Sequence, residues 1–587
     1  MSAAAQAAVL PLAVAFPLGG ALVAPLAGRV SARVPFAVAA GGLAGSTAVL
    51  GWAAPTVFGG RVLAHFMGHW GPTGGRALGI AFAADPFGMV FALAASGVGL
   101  LLVLYALAEL RDLGGLELGN FACLFLLLLA GLIGAALTAD LFNLFVWFEV
   151  SALASYALTA FFLERPLALE AAFKMLVLTT LASFAVFVGS AILYGTEGGL
   201  NFAQLGRSLV GPGAGTAALV ALGLLVAGYA TKAGLVPFHT WLPDAHTAAP
   251  GPVSALFSGL MVNLGILASG RLAFMVFDRS QVPVLGLLTT LGVTSGLVGA
   301  AMALFQDDLK RLLAFDTVAQ MGVLAVALGT GTHAGLAGAT YHLANHALFK
   351  ALLFLCAGAV VHTLGVERLS EMGGVARRKP AVAAAFVVGI AAIVGLPPFN
   401  GYFSLALVHE AVRDAGTPAL LVVLATVEAL TIAALARAAW LAFFRPRGEP
   451  FEDERPLAPG MVGGLVSLGV LCVGFGLAAG PMADRVAGPA GAVLLDREGY
   501  ARAVLDRAPA LQVRRLHPHF WSAAELGTTA LVVLLGLLLA RWIVRTEHQP
   551  RPLTILRALH NGSVNDYAAY TAGGLVLVVG FLILAAR

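Results

Sequence analysis

The stretch AGYATKAGLVPFHTWLPDAH (227–246) ends a long apolar run and holds two features that are unusual inside such a run. A lysine, Lys232, lies well within the run, and Gly234 and Pro237 interrupt the pattern just behind it. Proline removes a backbone hydrogen bond, and inside a bilayer the freed carbonyl must be satisfied by protein or by water in a cavity. The stretch therefore predicts a membrane-spanning helix that is broken beside a buried ionisable group.

The composition of the whole chain places this run in a membrane protein. Of 587 residues, 59% are hydrophobic and only 11% are charged, and the mean hydropathy is +0.91. Because soluble domains are about one-quarter charged, a water-exposed globule is excluded. The formal net charge of +4 gives no basic footprint for a nucleic acid.

Apolar stretches long enough to cross a bilayer recur along the chain. They are too long and too uniformly apolar for barrel strands, which alternate every second residue. Since a helical crossing needs about 20 residues, we predict an all-α polytopic membrane protein with about sixteen transmembrane helices. In chain order, spans 1–16 are predicted at 6–27, 35–54, 86–108, 118–138, 141–163, 169–194, 216–241, 250–276, 283–305, 311–330, 335–362, 380–410, 417–443, 459–480, 523–544 and 568–586.

A second predicted span is interrupted in the same way. GLPPFNGYF (395–403) breaks span 12, five spans after the break in span 7. Paired broken helices in corresponding halves are typical of inverted-repeat transporters, whose ion path lies near the breaks. The predicted domains are the N-terminal helices at 1–117, a first five-helix repeat (spans 4–8) at 118–277, a second (spans 9–13) at 283–443, and C-terminal helices at 459–587 with an extramembrane segment at 481–521.

The sequence indicates neither a metal site nor a cofactor site. Cys123, Cys356 and Cys472 lie in apolar runs without CxxC or Cys–His spacing, which excludes a zinc or iron–sulfur site built from this chain and a disulfide framework. No Walker loop occurs, and the glycine-rich pieces lie between apolar spans. We therefore expect this chain to hold no cofactor and no metal.

Lysine is rare here, and its positions are informative. Only five of the 34 Lys and Arg residues are lysines. Because arginine cannot release its proton, lysine should persist where a titratable amine is required. A charge at membrane depth costs about 2.5–3.5 kcal/mol on insertion scales. Four lysines lie in or at the edge of spans, Lys174, Lys232, Lys310 and Lys350, whereas Lys379 lies in a basic loop.

A lone carboxylate, Glu149, lies among apolar residues in LFNLFVWFEVSALASYALTAF (141–161). Intramembrane ionisable groups are functional by default, but two plainer interpretations stay open. Glu149 could make only an interhelical hydrogen bond, and Lys232 could extend its amine to the membrane surface. Asp140, nine residues earlier, could be only a charge at a helix end.

Three titratable groups share one helix face in ATYHLANHALFKALLFLCAG (339–358). His342, His346 and Lys350 stand at i, i+4 and i+8, which places them about 6 Å apart along one stripe. Neighbours at that spacing could pass a proton directly or through one water. A single histidine on an apolar helix is more often a core residue, but three such groups favour a relay. Metal binding by the two histidines is disfavoured because no carboxylate completes an HExxH pattern.

Six stretches, in order and at family-like spacing, resemble the antiporter-like subunits of respiratory complex I, membrane-bound hydrogenases and Mrp-type cation/proton antiporters. They are DLFNLFVWFE (140–149), TKAGLVPFHTWLPDAH (231–246), PVSALFSG (252–259), QDDLKRLLAFDTVAQMG (306–322), YHLANHALFKALLFLCAGAVVH (341–362) and GLPPFNGYFS (395–404). The C-terminal LHNGSVNDYAAYTAG (559–573) is similar to the tail of the largest such subunit in complex I.

The resemblance implies a core of fourteen helices with two inverted five-helix repeats and proton movement along a polar axis at mid-membrane. It makes Glu149 the carboxylate of the fifth helix and Lys232 its partner on the broken seventh. The family's central and outer relay would be Lys310, His342, His346 and Lys350. Lys174 also falls on a family lysine, at a helix start where a surface role fits equally well.

Two departures from the family affect the proton route. One concerns the residue that links its two half-channels, and the other concerns the residue at its exit. The eighth helix of the family usually carries His or Lys, whereas the candidate positions here are Ser258 and Asn263, which can hold a water but carry no charge. A Lys or Glu usually follows the GYxS of the broken twelfth helix, whereas Leu405 stands here. Either the exit is rewired or pumping is impaired. The lower-ranked exit candidates are Asp316, His409, Glu410 and Glu428.

These observations favour an ion-translocating, proton-moving subunit of a complex I-related membrane complex. The alternatives are a subunit of an Mrp-type Na⁺/H⁺ antiporter and a proton-inactive membrane scaffold. The redox activity, of NADH:quinone oxidoreductase or hydrogenase type, would belong to partner subunits. The expected partners are further antiporter-like and small membrane subunits, a peripheral redox arm, lipid, and protons or Na⁺, without nucleic acid.

The loops predict an orientation in the cell's inner (cytoplasmic) membrane. Basic residues recur in alternate loops, at 29–33, 310–311, 368–379, 445–455 and 541–557, and the positive-inside rule places these in the cytoplasm. The other loops are sparse in basic residues except for 481–521, which carries six arginines, but long loops inform orientation poorly. We therefore expect both termini outside, with the first apolar stretch an uncleaved helix. The loop at 545–567 is too short for a long lateral helix, since at 1.5 Å per residue it would reach about 35 Å.

Overall fold

The computed structural model is a bundle of helices that follow the predicted spans. It describes residues 3–209, 215–280, 282–447, 451–452, 454–507, 511, 514–516, 518–546 and 558–585. Within these residues, fifteen helices are long and apolar enough to cross a membrane, and one further span is divided into two shorter helices. The all-α membrane fold with about sixteen spans is thus confirmed.

The spans have the following bounds in the structure. In chain order they are Ala3–Gly28, Val34–Phe58, Pro86–Glu109, Gly115–Leu137, Leu141–Thr159, Pro166–Glu197, Thr216–Ala233 with Trp241–Ala248, Gly251–Val276, Val284–Leu304, Leu309–Gly329, His333–Leu364, Pro380–Ile393 with Asn400–Asp414, Pro418–Phe444, Pro459–Leu477, Ala523–Thr546 and Val564–Ala585. Short π-helical turns lie within spans 8 and 13, at Phe257–Met261, Leu272–Val276 and Trp440–Phe444.

The two predicted breaks are present and share one local construction. In span 7 the first helix ends at Gly234, whose φ of +68° lies in the left-handed region that glycine adopts without steric penalty. Gly395, with a φ of +70°, occupies the same region in span 12. Each glycine leads through a proline-containing segment into a second helix. The inverted relation of the two repeats stays a prediction.

Spans 8 and 11 form the interior of the bundle. Span 11 has 32 residues and packs against spans 3, 8, 10, 12 and 14. Span 8 is buried along its whole length. A helix that is apolar all round is typical of such an interior position. Polar side chains on these two spans therefore face protein rather than lipid.

Short elements lie between the spans. The sequence did not predict the antiparallel strands Leu63–Phe66 and Ala81–Ala84 or the 3₁₀ turn Met67–His69. The predicted extramembrane segment is a run of four short helices rather than one. These are Ala479–Met482, Ala483–Ala487, Gly488–Leu495 and Arg497–Leu505, and the remaining short helices are Phe202–Ser208 and Val375–Arg378. Residues 547–557, which include Arg551 and Arg557 and about half of the loop predicted to lack a lateral helix, lie outside the described residues.

A fully buried ion pair fastens three spans at one end of the bundle. Arg271 Nη2, in span 8, donates to Asp85 Oδ2 at 2.9 Å and to the Ala136 carbonyl at 2.6 Å. Its Nη1 donates to the Thr138 carbonyl at 2.6 Å. Arginine suits this place because its planar group donates in several directions at once. The pair holds span 8 against the start of span 3 and the end of span 4.

Gly265 tests the close contact between spans 7 and 8. A Cβ here would lie 2.4 Å from both the Ala233 nitrogen and the Tyr229 carbonyl oxygen, which are backbone atoms. We expect Gly265→Ala to lower stability by about 1–3 kcal/mol, the usual cost of overpacking, as measured by thermal unfolding of the solubilised protein. Gly97→Ala is the control because open space surrounds that glycine. Equal midpoints for the two variants would contradict the packing.

Candidate functional site

Lys232 occupies the last turn of the first helix of span 7, directly before the break. Its side chain is fully buried, so the amine does not extend to the membrane surface. Its Nζ lies 4.3 Å from the centroid of the Phe148 ring, a cation–π contact. Among the described residues this nitrogen has no hydrogen-bond partner.

Glu149 lies one residue after Phe148 on span 5 and is partly buried. It accepts a hydrogen bond from the Ser183 hydroxyl of span 6. The interhelical hydrogen bond considered for Glu149 from the sequence is therefore present. Its charge acts on Lys232 electrostatically. The two predicted residues are therefore neighbours that face the same buried region.

The predicted stripe of span 11 is buried along its whole length. His342, His346 and Lys350 are each 0% exposed, and the rings of His342 and His346 lie 6.4 Å apart. His342 bridges two spans, since Nε2 is 3.0 Å from Gln320 Oε1 and Nδ1 is 3.0 Å from Ser404 Oγ. Neither ring nitrogen of His346 has a partner among the described residues.

Asp316 is the ion-pair partner of Lys350. Both side chains are completely buried, and the Lys350 amine also donates to the Leu313 carbonyl at 3.0 Å. Thr431 of span 13 donates to the other oxygen of Asp316 at 3.2 Å. Asp316, which the sequence suggested only as a lower-ranked exit candidate, thus supplies the counter-charge that makes a buried lysine tolerable.

Lys310 and Glu109 lie on a cavity at the end of the bundle where spans 3 and 11 finish. Lys310 Nζ donates to the Ala249 carbonyl at 2.8 Å. Glu109 Oε1 accepts from the Gly251 nitrogen at 3.3 Å, and the two charges attract each other. The cavity has a volume of about 370 Å³. Sequence reasoning missed Glu109, although a carboxylate at the end of an otherwise apolar span was the available signal.

His246, on the second helix of span 7, was quoted in a motif but assigned no role. It is 0% exposed, its Nδ1 is 2.8 Å from the Leu242 carbonyl, and its Nε2 has no partner among the described residues. The charges of Lys310 and Lys350 both act on it, and it acts on His346. Its ring lies 5.9 Å from the ring of Phe257 in span 8 and 5.5 Å from that of Phe354 in span 11, so His246 packs against both of these spans.

The uncharged residues of span 8 connect neighbouring spans. The hydroxyls of Ser258 and Thr317 are 2.7 Å apart, which joins spans 8 and 10. Asn263 Nδ2 donates to the carbonyls of Gly259 at 2.7 Å and Leu343 at 3.3 Å, while its Oδ1 has no partner in the described chain. Both positions are polar and fully buried.

The exit candidates separate in the structure. His409 joins Glu428, at 2.9 Å, to Glu525 of span 15, at 2.7 Å. Glu410 is partly buried and lies outside this cluster, since neither His409 contact involves it. Glu525 was not predicted. Leu405 is buried and lines the same cavity as the cluster.

Lys174 belongs to a further network beside span 7. It is 5% exposed and forms ion pairs with Glu170, at 2.6 Å, and Asp244, at 3.0 Å. Arg311 also pairs with Asp244 at 2.7 Å. The described residues contain no group of three or more His, Cys, Asp or Glu side chains that could hold a metal ion.

Residues 138–431 match the family described as NADH:quinone oxidoreductase/Mrp antiporter, TM. This chain belongs to that family. NADH-quinone oxidoreductase subunit N of Desulforudis audaxviator is 35% identical over 461 residues, which cover 76% of this chain and 89% of that relative. The resemblance drawn from the six motifs is confirmed.

Two solved structures share the fold of this antiporter-like subunit. A chain of the Mrp complex from Dietzia sp. superposes with a TM-score of 0.78 at 26% identity, covering 86% of this chain and all of that one. A chain of the membrane-bound sulfane sulfur reductase, an archaeal respiratory membrane complex, gives a TM-score of 0.77 at 28% identity, covering 85% of this chain and all of that one.

The Lys350–Asp316 pair makes a testable contribution to stability. Asp316→Ala leaves a buried ammonium without its counter-charge, so we expect a loss of about 3–5 kcal/mol. Replacing both residues by apolar ones, Asp316→Leu with Lys350→Met, should recover most of that loss. Thermal unfolding of the purified protein measures both, with the exposed Asp112→Ala as control. An Asp316→Ala variant as stable as the control would contradict the pairing.

Proposed function

We propose that this antiporter-like subunit moves protons across the membrane along a buried line of amines, imidazoles and carboxylates. The observation that carries the proposal is the set of buried polar atoms without partners among the described residues. The members of this set that lie on ionisable or amide side chains of the proposed route are Glu109 Oε2, Lys232 Nζ, His246 Nε2, Asn263 Oδ1 and both ring nitrogens of His346. Buried polar atoms are normally satisfied by protein or by ordered water. Water joining these atoms would satisfy them and conduct protons.

The first half of the route uses Glu149 and Lys232. The Glu149 carboxylate accepts a hydrogen bond from the Ser183 hydroxyl, and Lys232 lies in the last helical turn before the break of span 7. When one group of such a pair gains or loses a proton, the proton affinity of the other changes through the Coulomb interaction, which is strong at low dielectric. The break supports this role because it leaves polar backbone beside the amine.

The link between the halves runs through span 8 and His246. Gly265 packs against Ala233, the neighbour of Lys232. Asn263, two residues earlier, donates to the carbonyls of Gly259 and Leu343, and Gly259 packs against Ala347, the neighbour of His346. An amide orients water but carries no net charge, so His246 supplies the titratable group that the eighth helix lacks. Lys310 and Glu109 connect this junction to the cavity at the predicted cytoplasmic face.

The second half passes from the span 11 stripe to the outer face. His342 and His346 lead to Lys350, which forms a buried ion pair with Asp316. Thr431 extends the contact of Asp316 to span 13. The exit then uses Glu428 and His409, because Leu405 stands where the family usually has a charged residue. Glu410 is left out of the route because it does not contact them.

We infer that the chain works within a multi-subunit complex in the cytoplasmic membrane, with both termini outside. The solved structures that it resembles are multi-subunit membrane complexes, the Mrp complex and a respiratory complex, which supports membrane-subunit partners. Electron transfer would take place on partner subunits, since the proposed route uses only side chains that exchange protons.

A second candidate function is Na⁺/H⁺ exchange within an Mrp-type antiporter. The TM-score of 0.78 to a chain of the Mrp complex favours it. The same relay would then return protons against a sodium gradient, without redox partners.

Lys232→Ala tests the proposed route. The complex purified through this chain is reconstituted into liposomes, and a potassium diffusion potential drives proton uptake, followed with an internal pH dye. We expect uptake to fall to the level of empty liposomes, because the variant lacks the amine at the break of span 7. Lys379→Ala, at the loop lysine, is the matched control and should retain uptake. Both variants should remain in the complex on a native gel.

Wild-type uptake by Lys232→Ala would defeat the proposal. If Glu149→Gln is also active while deletion of the chain dissolves the complex, the scaffold interpretation is correct. Uptake that requires sodium on the opposite side would identify the Na⁺/H⁺ exchanger.

A further inference from the structure

A buried polar cluster lies where spans 12, 13 and 15 meet. His409 Nδ1 is 2.7 Å from Glu525 Oε1, and His409 Nε2 is 2.9 Å from Glu428 Oε1. Arg413 Nη2 donates to Glu525 Oε2 at 3.1 Å. The side chains of Glu525 and His409 are 3% and 8% exposed. One imidazole is thus held between two carboxyl groups from different spans.

The chemistry of these groups requires a shared proton. A carboxylate only accepts hydrogen bonds, and a neutral imidazole donates from one nitrogen only. With a carboxyl group on each side, either the ring is an imidazolium or one carboxyl group is protonated. The cluster therefore holds an exchangeable proton in every state that satisfies both contacts.

A proton can cross this cluster in one balanced step. Protonated Glu428 loses its O–H proton to His409 Nε2, while His409 Nδ1 releases its own proton to the Glu525 carboxylate. Before and after the step one carboxylate is charged and the ring is neutral, so one proton has moved from span 13 to span 15. Release of that proton from Glu525 leaves the ring as the Nε2–H tautomer, and tautomerisation of the imidazole, with no net gain or loss of protons, restores the first state before the next transfer.

The cluster is connected on both sides. Glu428 lies three residues before Thr431, on the same helix face, and Thr431 contacts Asp316 of the buried pair. Glu525 itself is buried, but its ion-pair partner Arg413 is 45% exposed, so the cluster ends beside a side chain that reaches the surface of the bundle. Leu405 lines the same cavity as His409, Glu428 and Glu525. The titratable groups of this cavity therefore lie beside Leu405, where the family usually has a charged residue.

A structural role for Glu525 in its own helix does not account for these contacts. It lies in the first turn of span 15, where a carboxylate stabilises a helix through the dipole. Such a carboxylate needs neither burial nor an imidazole partner. The contact with His409 instead connects span 15 to spans 12 and 13 at this depth.

We propose that Glu525 is the terminal proton-exchange residue, and that span 15, outside the fourteen-helix core, is part of the transport machinery. This inference rests on the proposed proton route and extends it by one residue. Arg413 acts as a positioning residue that holds the Glu525 carboxylate and attracts it in its charged form.

The test uses Glu525→Gln in the reconstituted complex, with the same uptake assay. Glutamine keeps the shape and a hydrogen bond but cannot carry the proton, so we expect uptake to fall by about 100-fold, within the range of general acid–base effects. Asp414→Asn removes an exposed carboxylate from the same end of span 12 and should leave uptake unchanged. Uptake is expressed per assembled complex, quantified on a native gel.

Glu525→Asp separates transport from folding. Aspartate keeps the carboxyl group with a shorter reach, so uptake per assembled complex should lie between those of wild type and Glu525→Gln. Wild-type uptake per assembled complex in both variants, with Lys232→Ala inactive, would overturn the role of Glu525 but leave the proton route intact. Wild-type uptake in all three variants would overturn the route itself.

Discussion

A polar or charged group at membrane depth must find its partner inside the protein, because the surrounding hydrocarbon offers none. This constraint explains the main features of the structure. Arg271 is balanced by Asp85 and two carbonyls, and Lys350 by Asp316. The break in span 7 is buried or half-buried at every residue from Gly234 to Thr240, whereas Pro398 in the break of span 12 is exposed. Where the described protein atoms do not meet the requirement, at Lys232 and His346 for example, the proposed line of water would meet it.

The C-terminal spans cover both broken helices. Span 16 packs its Gly574 against the break in span 7, where a Cβ would lie 2.5 Å from Pro237 Cγ. His239, just after that proline, lies 2.8 Å from His560, which precedes span 16. Span 15 brings Glu525 to the second helix of span 12. Span 16 thus packs on the broken helix of span 7, and span 15 on that of span 12.

The sequence predicted those features that depend on local pattern. Apolar length predicted the spans, glycine and proline predicted the breaks, and the spacing of His342, His346 and Lys350 predicted a stripe that the structure buries. The strands at 63–66 and 81–84 were missed because each has only four residues, beside long apolar runs.

Partnerships across long sequence separations could not be predicted in this way. His409 and Glu525 are 116 residues apart, and Lys350 and Asp316 are 34 apart. Nothing in the sequence near Asp316 distinguishes a counter-charge from an exit group. Glu410 was ranked with His409 as its chain neighbour, but consecutive residues on a helix point in different directions. A charge pattern therefore identifies candidates, whereas the packing of spans decides which of them meet.

The central claim is that one hydrated line joins the buried ionisable groups. An electron cryo-microscopy map of the whole complex, at a resolution that shows ordered water, tests it most directly. We expect water beside Lys232 Nζ, continuing past Asn263 to His346 and His246. A dry apolar gap between Lys232 and His346, or a Lys232 side chain directed at lipid, would contradict the account.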